Sequence, residues 1–326
     1  MRITAYSVRP DEEALFAAAA ARLGIELVTT PQRPTLDTAH LAADSQGVSV
    51  ITTPIRADLL AVWRGYGVQA VSTRTVGYDH MDLDAAGKLG IRMSNVSYTP
   101  WTVAEHTVMA MLMCLRRTKL VMRRYEAQDY TLKAVRGREL RGRTVGIVGT
   151  GAIGCSVAEL LSSFGCTLLA HSRSRNPRLE GLAEYVSLDE LLGKSDIVTL
   201  HLPAVPGSEA LMNAQRLARM KEGAILVNTA RGPLVDTDAL IDALESGHLG
   251  GAALDVITGE GPVHYRDFKG KIPPVRAMSV LQAMPNVLMT PHTAFFTDEA
   301  VGDMINYSLQ SLKAAALGEE DRFFLN

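Results

Sequence analysis

Three polar residues suited to acid–base and carboxylate chemistry follow short apolar runs in the second half of the chain. Arg231 lies in the segment 228–233, Glu260 in a glycine-rich segment and His292 in the segment 290–293. An arginine binds a carboxylate through two parallel hydrogen bonds. A histidine held by a glutamate keeps its proton near neutral pH and can pass it to a carbonyl oxygen. Taken alone, these residue types equally fit a surface arginine, a loop glutamate and a capping histidine.

A glycine-rich motif of the form G-x-G-x-x-G follows an apolar run and opens a predicted helix over 155–164. The first glycine permits a tight turn, the second lets backbone N–H groups approach a pyrophosphate, and the third lets the helix pack closely on the strand. The start of the helix adds a favourable potential for an anion. The motif therefore predicts a dinucleotide site, against the alternative of a purely structural turn, with these candidate contacts: Gly149, Gly151, Ala152, Ile153 and Gly154.

The end of the next predicted strand indicates which dinucleotide is used. An NAD-selective site places Asp or Glu there to bind the ribose hydroxyls. This chain has Ser172 instead, followed by Arg173 and Arg175. A carboxylate repels a 2′-phosphate, whereas a hydroxyl beside guanidinium groups binds one. We therefore predict NADH or NADPH as cofactor, with NADPH tolerated or preferred. The alternative is that both arginines are solvated loop charges.

Apolar runs alternate with helical stretches along the chain, which predicts an α/β protein with parallel sheets covered on both faces. The stretch from Trp101 to Tyr125 contains neither Pro nor Gly and is predicted as one long helix, and 298–317 as an amphipathic final helix. The predicted strands fall into two series: 2–6, 25–28, 48–51, 70–72 and 91–94, then 144–148, 167–170, 197–200, 224–227, 251–254 and 287–289.

Composition excludes several classes of protein. Of 326 residues, 47% are hydrophobic and 21% charged, and the net charge is -2, which argues against disorder and against a polyanion-binding surface as the main function. No apolar stretch approaches the length of a membrane span, and the first residues lack the apolar region of a signal peptide. Cys114, Cys155 and Cys166 show no metal-ligand or disulfide spacing. We expect a soluble cytoplasmic protein without a metal site, a nucleic-acid partner or a membrane partner.

The chain resembles the D-isomer-specific 2-hydroxyacid dehydrogenases over nearly its whole length. The likeness rests on VGIVGTGAIG, NTARGPLVDTDAL, GGAALDVITGEG and PHTAFFTDEA. STRTVGYDHMD and NVSYTPWTVAEH fit the D-lactate dehydrogenase branch of that family. Within the branch, NVSYTP, HSRSR, SDIVTLHLP and LQAMPNVLMTPHTAFFT are similar to the D-lactate dehydrogenases of vancomycin resistance.

The resemblance implies a domain organisation. A Rossmann nucleotide domain over 101–294 would be inserted in a flavodoxin-like substrate domain formed by 1–100 and 295–326. The active site would lie in the cleft between these domains. The family also implies a homodimer formed through the long helix after residue 100 and the segment that follows it.

The resemblance also implies roles for individual residues. Arg231 would bind the substrate carboxylate and polarise its carbonyl, and His292 would be the proton donor in reduction, oriented by Glu260. Further implied contacts are, for the substrate, the backbone of Val76 and Gly77 with the side chains of Tyr98 and Phe295, and, for the cofactor, Pro203, Thr229, Ala230 and Asp255, the last on the nicotinamide amide. His80, His106 and His201 are expected to pack or cap.

The implied reaction is the reduction of pyruvate, a small 2-oxo acid, to D-lactate, which would supply D-alanyl-D-lactate cell-wall precursors in vancomycin resistance. One alternative is a dehydrogenase for larger 2-oxo acids, and a more distant one is a nicotinamide-gated binding module that acts as a corepressor. A substrate with a second carboxylate would need another cation. Arg74 is a candidate, although a structural role beside the Val76–Gly77 turn fits it better.

Overall fold

The structure is a computed structural model that describes residues 1–205 and 207–326. The chain forms two compact units. Unit 1 contains Met1–Thr99 and Phe296–Asn326, and unit 2 contains Pro100–Phe295. No helix among the described residues has the length and apolar composition needed to span a membrane.

Unit 1 is built on a parallel sheet of five strands in the order β2-β1-β3-β4-β5. This order is that of flavodoxin-like folds. Apolar side chains form a cluster on each face of the sheet, so the strands are buried on both sides. The elements are β1 (Arg2–Ala5), α1 (Glu13–Leu23), β2 (Glu26–Thr29), β3 (Gly47–Val50), α2 (Ala57–Gly65), β4 (Ala70–Thr73), α3 (Leu83–Lys88), β5 (Arg92–Ser94) and the last helix of the chain, α11 (Asp298–Leu317).

Helix α11 packs on the middle of the unit 1 sheet. It begins after Thr297, whose hydroxyl accepts a hydrogen bond from a backbone N–H of the first turn, and it ends at Gly318 in the left-handed conformation. Ser308 Oγ lies 2.8 Å from Ser49 Oγ of β3. At Gly47 a Cβ atom would lie 3.3 Å from the side chain of Leu312, so glycine permits this close packing. The bounds predicted for this helix are confirmed.

Unit 2 is built on a parallel sheet of seven strands in the order β12-β11-β10-β9-β6-β7-β8. The strand order reverses at β6, as in doubly wound nucleotide-binding folds. The predicted fold class of two doubly wound parallel sheets is confirmed. The elements are α4 (Trp101–Leu115), α5 (Thr118–Glu126), β6 (Thr144–Val148), α6 (Ala152–Ser162), β7 (Thr167–His171), β8 (Glu184–Tyr185), α7 (Leu188–Lys194), β9 (Ile197–Leu200), α8 (Ala214–Arg219), β10 (Ala224–Asn228), α9 (Thr237–Glu245), β11 (Leu249–Leu254), α10 (Arg276–Ala283) and β12 (Val287–Met289).

The prediction of one helix from Trp101 to Tyr125 is wrong, because the chain breaks between α4 and α5. Arg117 has a φ of 53°, in the left-handed region. The carbonyl of Leu115 accepts the N–H of Arg138 at 2.8 Å. Lys119 donates to three backbone carbonyls at and beyond the end of α10, at distances of 2.5 to 2.8 Å. Contacts far apart in sequence therefore break a segment whose local sequence favours a continuous helix.

Candidate active site

The three residues singled out for chemistry leave neighbouring strands of the unit 2 sheet. Arg231 follows β10, Glu260 follows β11 and His292 follows β12, and these strands pair in the order β12-β11-β10. All three strands are parallel, so their carboxyl ends meet at one edge of the sheet. That edge is where doubly wound folds bind their ligands.

Glu260 and His292 form a hydrogen-bonded pair. His292 Nδ1 lies 3.0 Å from Glu260 Oε1, and the other carboxylate oxygen accepts the N–H of Ile257 at 2.5 Å. The side chains are 29% and 17% exposed, so the imidazole is reachable while the carboxylate is largely covered. A carboxylate acceptor places the proton on Nδ1 and directs Nε2 to whatever lies on the far side of the ring. The arrangement suits an acid–base histidine.

Asp255 fixes the loop that carries His292. His292 has a φ of 55°. Its N–H donates to the carbonyl of Asp255 at 2.9 Å. The buried carboxylate of Asp255 accepts the Thr290 hydroxyl at 2.6 Å and the N–H groups of Thr293 and Ala294 at 2.8 and 3.0 Å. These bonds stabilise a left-handed conformation that costs about 1–2 kcal/mol for a residue other than glycine. The predicted contact of Asp255 with the nicotinamide amide stays a prediction.

The conformation of the loop that carries Arg231 is fixed by Asn228 and Gly232. The side chain of Asn228, at the end of β10, donates to the carbonyl of Arg231 at 2.9 Å and accepts the N–H of Ala230 at 3.0 Å. At Gly232 a Cβ atom would lie 2.3 Å from the carbonyl carbon of Ile257, so glycine lets this loop pack on the segment before Glu260. The motif thus fixes the backbone of Arg231.

The structure adds two histidines that the sequence did not indicate as parts of the site. His264 Nε2 lies 3.4 Å from Glu260 Oε2, and burial lowers the pKa of His264 against the opposing effect of Glu260. His106, which we expected to pack or cap, has Nε2 3.3 Å from the hydroxyl of Thr290, and burial lowers its pKa as well. A lone histidine in a polar loop or on an apolar helix gives no sequence signal of such contacts.

The glycine-rich turn has the shape that a pyrophosphate requires. At Gly149 a Cβ atom would lie 2.5 Å from the carbonyl oxygen of His201, and at Gly154 it would lie 2.0 Å from the carbonyl oxygen of Gly149. At Gly151 it would meet no atom within 4 Å, which leaves open space above the turn. Gly151 also precedes the first residue of α6 and has no side chain to cap the helix. The N–H groups there can bind an anion. The residues therefore fit a dinucleotide.

The loop after β7 is fastened to this turn and presents the residues predicted to contact the ribose. Asn176 donates from Nδ2 to the carbonyl of Thr150 at 2.9 Å, and Tyr185 Oη lies 3.0 Å from Thr150 Oγ1. The guanidinium of Arg175 lies 5.6 Å from the centre of the Tyr185 ring. Ser172 follows the strand directly, and Arg173 is exposed. Within residues 1–205 and 207–326, Arg173 and Arg175 make no ion pair with a carboxylate.

The other predicted site residues divide between the two units. Phe295 belongs to unit 2, and its ring centre lies 6.2 Å from that of His292. Thr229 Oγ1 lies 2.9 Å from Thr107 Oγ1, Ala230 is buried beside it, and Pro203 follows β9. In unit 1, Val76 is exposed and Gly77 and Tyr98 are partly buried. Their substrate and cofactor contacts stay predictions.

Arg74 has a structural place inside unit 1. The side chain is fully buried. It donates to Ser49 Oγ at 3.0 Å and to the carbonyl of Tyr6 at 2.9 Å, and its guanidinium lies 5.1 Å from the centre of the Phe16 ring. Burial lowers the pKa of Arg74 to about 10. These contacts favour the structural role over the binding of a second substrate carboxylate.

A doubly wound sheet with a dinucleotide turn and a histidine–glutamate pair at its carboxyl edge is the arrangement expected of a nicotinamide-dependent dehydrogenase. Residues 108–294 match the family model of the D-isomer specific 2-hydroxyacid dehydrogenase NAD-binding domain. The chain therefore belongs to the D-isomer-specific 2-hydroxyacid dehydrogenase family, and the part that matches is an NAD-binding domain.

Individual relatives extend over nearly the whole chain. It is 42% identical over 310 residues to a D-specific alpha-keto acid dehydrogenase of Enterococcus faecium, covering 95% of each chain. It is 35% identical over 316 residues to an aromatic 2-oxoacid reductase of Clostridium sporogenes, covering 96% of each.

Solved structures agree over the full length. A D-lactate dehydrogenase of Treponema pallidum superimposes with a TM-score of 0.90 at 31% identity, covering all of both chains. The NAD-complexed form of a D-isomer specific 2-hydroxyacid dehydrogenase from Lactobacillus delbrueckii ssp. bulgaricus does so with a TM-score of 0.85 at 33% identity, again covering all of both chains.

Proposed function

We propose that this protein reduces a small 2-oxo acid, pyruvate, to D-lactate, with His292, Glu260 and Arg231 as its catalytic residues. The observation that carries the proposal is the 3.0 Å contact between His292 Nδ1 and Glu260 Oε1 at the carboxyl edge of the unit 2 sheet. A carboxylate on Nδ1 stabilises the doubly protonated imidazole, and that form can deliver a proton from Nε2. A protein that merely senses nicotinamide nucleotides would need no such pair, so the pair argues against the alternative of a binding module.

The nicotinamide supplies the hydride when it is bound, and this chain's residues supply the rest. His292 donates the proton on Nε2 to the substrate oxygen as negative charge develops there. Glu260 accepts the Nδ1–H throughout and stabilises the positively charged ring before the transfer. Arg231 binds the substrate carboxylate with its guanidinium and so fixes the keto group against His292.

The cofactor is held by the turn over 149–154 and selected by the loop after β7. A pyrophosphate would accept hydrogen bonds from the first N–H groups of α6, in the open space beside Gly151. We propose that Ser172 and Arg173 bind the 2′-phosphate of NADPH, so that NADPH is used as well as NADH. The absence of a carboxylate at position 172 and the exposed guanidinium of Arg173 support this assignment.

The substrate assignment has one competitor with its own support. The likeness to an aromatic 2-oxoacid reductase favours larger 2-oxo acids. The likeness to a D-lactate dehydrogenase favours pyruvate. We also propose a cytoplasmic homodimer and, from the sequence likeness alone, a supply of D-lactate for D-alanyl-D-lactate precursors in vancomycin resistance.

The test is an absorbance assay of NADPH and NADH oxidation, run in parallel with pyruvate, 2-oxobutyrate and phenylpyruvate. We expect the highest kcat/KM with pyruvate and rates with NADPH that equal or exceed those with NADH.

His292→Gln should abolish most of kcat while NADPH still binds. His248→Gln should change neither quantity, because His248 lies just before the amino end of β11, at the opposite ends of the strands from His292. A preference for phenylpyruvate would overturn the substrate. Tight cofactor binding without turnover of any 2-oxo acid would favour a binding module.

A further inference from the structure

The carboxylate of Glu260 lies between two imidazoles. Its Oε1 is 3.0 Å from Nδ1 of His292, and its Oε2 is 3.4 Å from Nε2 of His264. The two rings meet edge to face, with their centres 5.2 Å apart. The proposed reaction uses His292 and Glu260 and leaves His264 without a chemical role.

The three side chains offer a set of metal ligands. Each provides one ligand atom, and these atoms all lie within 4.8 Å of one another. Zinc binds histidine nitrogen and carboxylate oxygen at about 2.0–2.2 Å, and in tetrahedral geometry its ligands are then roughly 3.3–3.5 Å apart. Each oxygen of the Glu260 carboxylate lies near that spacing from one imidazole, Oε1 at 3.0 Å from His292 and Oε2 at 3.4 Å from His264. Binding therefore requires a small rotation of the carboxylate towards the cation and an approach of the two imidazoles to each other.

The backbone holds this set together. Glu260 and His264 are one helical turn apart, and the N–H of His264 donates to the carbonyl of Glu260 at 3.0 Å. Ile257 fixes one carboxylate oxygen, and the backbone of His292 is bound to Asp255. His264 is 9% exposed and Glu260 17% at its side chain, so both are partly shielded from water. A preformed, shielded set of ligands loses little entropy when it binds a cation.

We propose that Zn²⁺, or another first-row divalent cation that prefers nitrogen ligands, binds Glu260, His264 and His292 and thereby inhibits the dehydrogenase. The cation takes the place of the proton shared by His292 Nδ1 and Glu260 Oε1, and that proton is released to solvent. Its fourth position is left to water. Two imidazoles in the set exclude Mg²⁺ and Ca²⁺ as preferred occupants, because these cations choose oxygen.

Inhibition follows from the hydrogen bond that the cation replaces. With the metal in place, Glu260 binds the cation and no longer accepts a proton from His292. The orientation and charge of the ring that the reduction needs are lost. The effect on turnover thus rests on the proposed function, whereas the binding of the cation does not.

The test uses the full-length protein treated with EDTA and freed of chelator. Calorimetry with Zn²⁺ should give one site per chain. Co²⁺, whose visible absorption reports tetrahedral nitrogen and oxygen ligation, should develop that spectrum and lose it when Zn²⁺ is added. Zn²⁺ should inhibit reduction of the 2-oxo acid, and EDTA should restore the original rate.

Two substitutions of His264 test whether its side chain binds the cation. His264→Phe keeps a ring of similar size, and His264→Gln keeps a polar group in case the first variant unfolds. Each should weaken Zn²⁺ binding by at least about 100-fold, since loss of a partner outside the ligand set already costs 10–100-fold. Inhibition of each variant, measured against its own uninhibited rate, should weaken by the same factor. His248→Phe, in the same unit, should bind Zn²⁺ as the unaltered protein does.

The outcomes distinguish a failure of the metal site from a failure of the proposed dehydrogenase function. No stoichiometric Zn²⁺ binding, no tetrahedral Co²⁺ spectrum, or equal Zn²⁺ affinity in both His264 variants would overturn the metal site. Zn²⁺ binding without inhibition would overturn its effect on the reaction. A protein that binds Zn²⁺ through His264 but reduces no 2-oxo acid would keep the site and refute the proposed function.

Discussion

Substitution of Gly154 should destabilise the fold, whereas substitution of Gly151 in the same turn should weaken only the binding of the nucleotide. At Gly154 a new Cβ atom would lie 2.0 Å from the carbonyl oxygen of Gly149, about 1.4 Å inside ordinary contact. Because the Cβ atom is fixed to the backbone of α6 and the carbonyl is itself backbone, α6 must shift, and overpacking of this kind costs roughly 3 kcal/mol. At about 2–4 °C per kcal/mol, the melting temperature of Gly154→Ala should fall by roughly 6–12 °C. Its affinity for NADH should fall with it.

Gly151→Ala is the matched substitution, because its Cβ atom would meet nothing within 4 Å. Its φ of -71° suits alanine, so we expect a melting temperature within about 2 °C of the unaltered protein. The added methyl would occupy the space where a pyrophosphate approaches the N–H groups, and the Kd for NADH should rise about 10- to 100-fold, or 1.4 to 2.7 kcal/mol. Differential scanning calorimetry and fluorescence titration with NADH measure the two quantities. An unchanged Kd in Gly151→Ala, or an unchanged melting temperature in Gly154→Ala, would refute this account of the turn.

Three further predictions concern Glu260, Thr290 and Lys119. Glu260→Gln removes the negative charge beside the His292 imidazole. Two charges about 4 Å apart between their centres interact by about 4 kcal/mol at an effective dielectric constant of 20, and we take roughly half of that for partly exposed groups, so kcat for reduction should fall about 30-fold in stopped-flow assays. An unaltered kcat would contradict the role of Glu260. Thr290→Val deprives the buried Asp255 carboxylate of one of its three described donors and should cost about 1–3 kcal/mol, seen as a lower melting temperature, whereas an equal one would show that the bond contributes nothing. Burial, with help from Arg123, lowers the pKa of Lys119 from 10.5 to about 8, so the unfolded chain binds more protons between those values and the free energy of unfolding should rise with pH across that window. Urea titrations at pH 8, 9 and 10 should show a smaller rise for Lys119→Met, and identical slopes would contradict the assignment.

Much of the fold can be predicted from the sequence because parallel strands buried on both faces are continuous apolar runs. Each of the two predicted series corresponds to a sheet, and α11 has its predicted bounds because Thr297 and Gly318 mark its ends. β8 was missed, since two residues at the edge of a sheet carry no apolar run. The break before α5 was missed because the carbonyls that bind Lys119 lie more than 160 residues away in the sequence.

Part of the candidate site can likewise be predicted from the sequence, and part of it cannot. The types of Arg231, Glu260 and His292 and their positions after strands indicate chemistry, and the structure brings Glu260 and His292 into contact. His264 is invisible to that reasoning because its spacing from Glu260 acquires meaning only when the loop folds into a helical turn. The hydrogen bonds by which Asp255 holds the loop of His292 could not be predicted either, because residue types alone do not show that His292 has a left-handed backbone conformation.

The separation in sequence between α11 and the strands that it covers has a consequence for synthesis on the ribosome. The strands of unit 1 are all made within the first 94 residues, but the helix that covers their middle begins at residue 298. Until it emerges, the middle of one face of that sheet is exposed and prone to association, while unit 2 can already close around its own core. A nonsense mutation anywhere between the codons for β5 and α11 should therefore leave this part of the sheet uncovered.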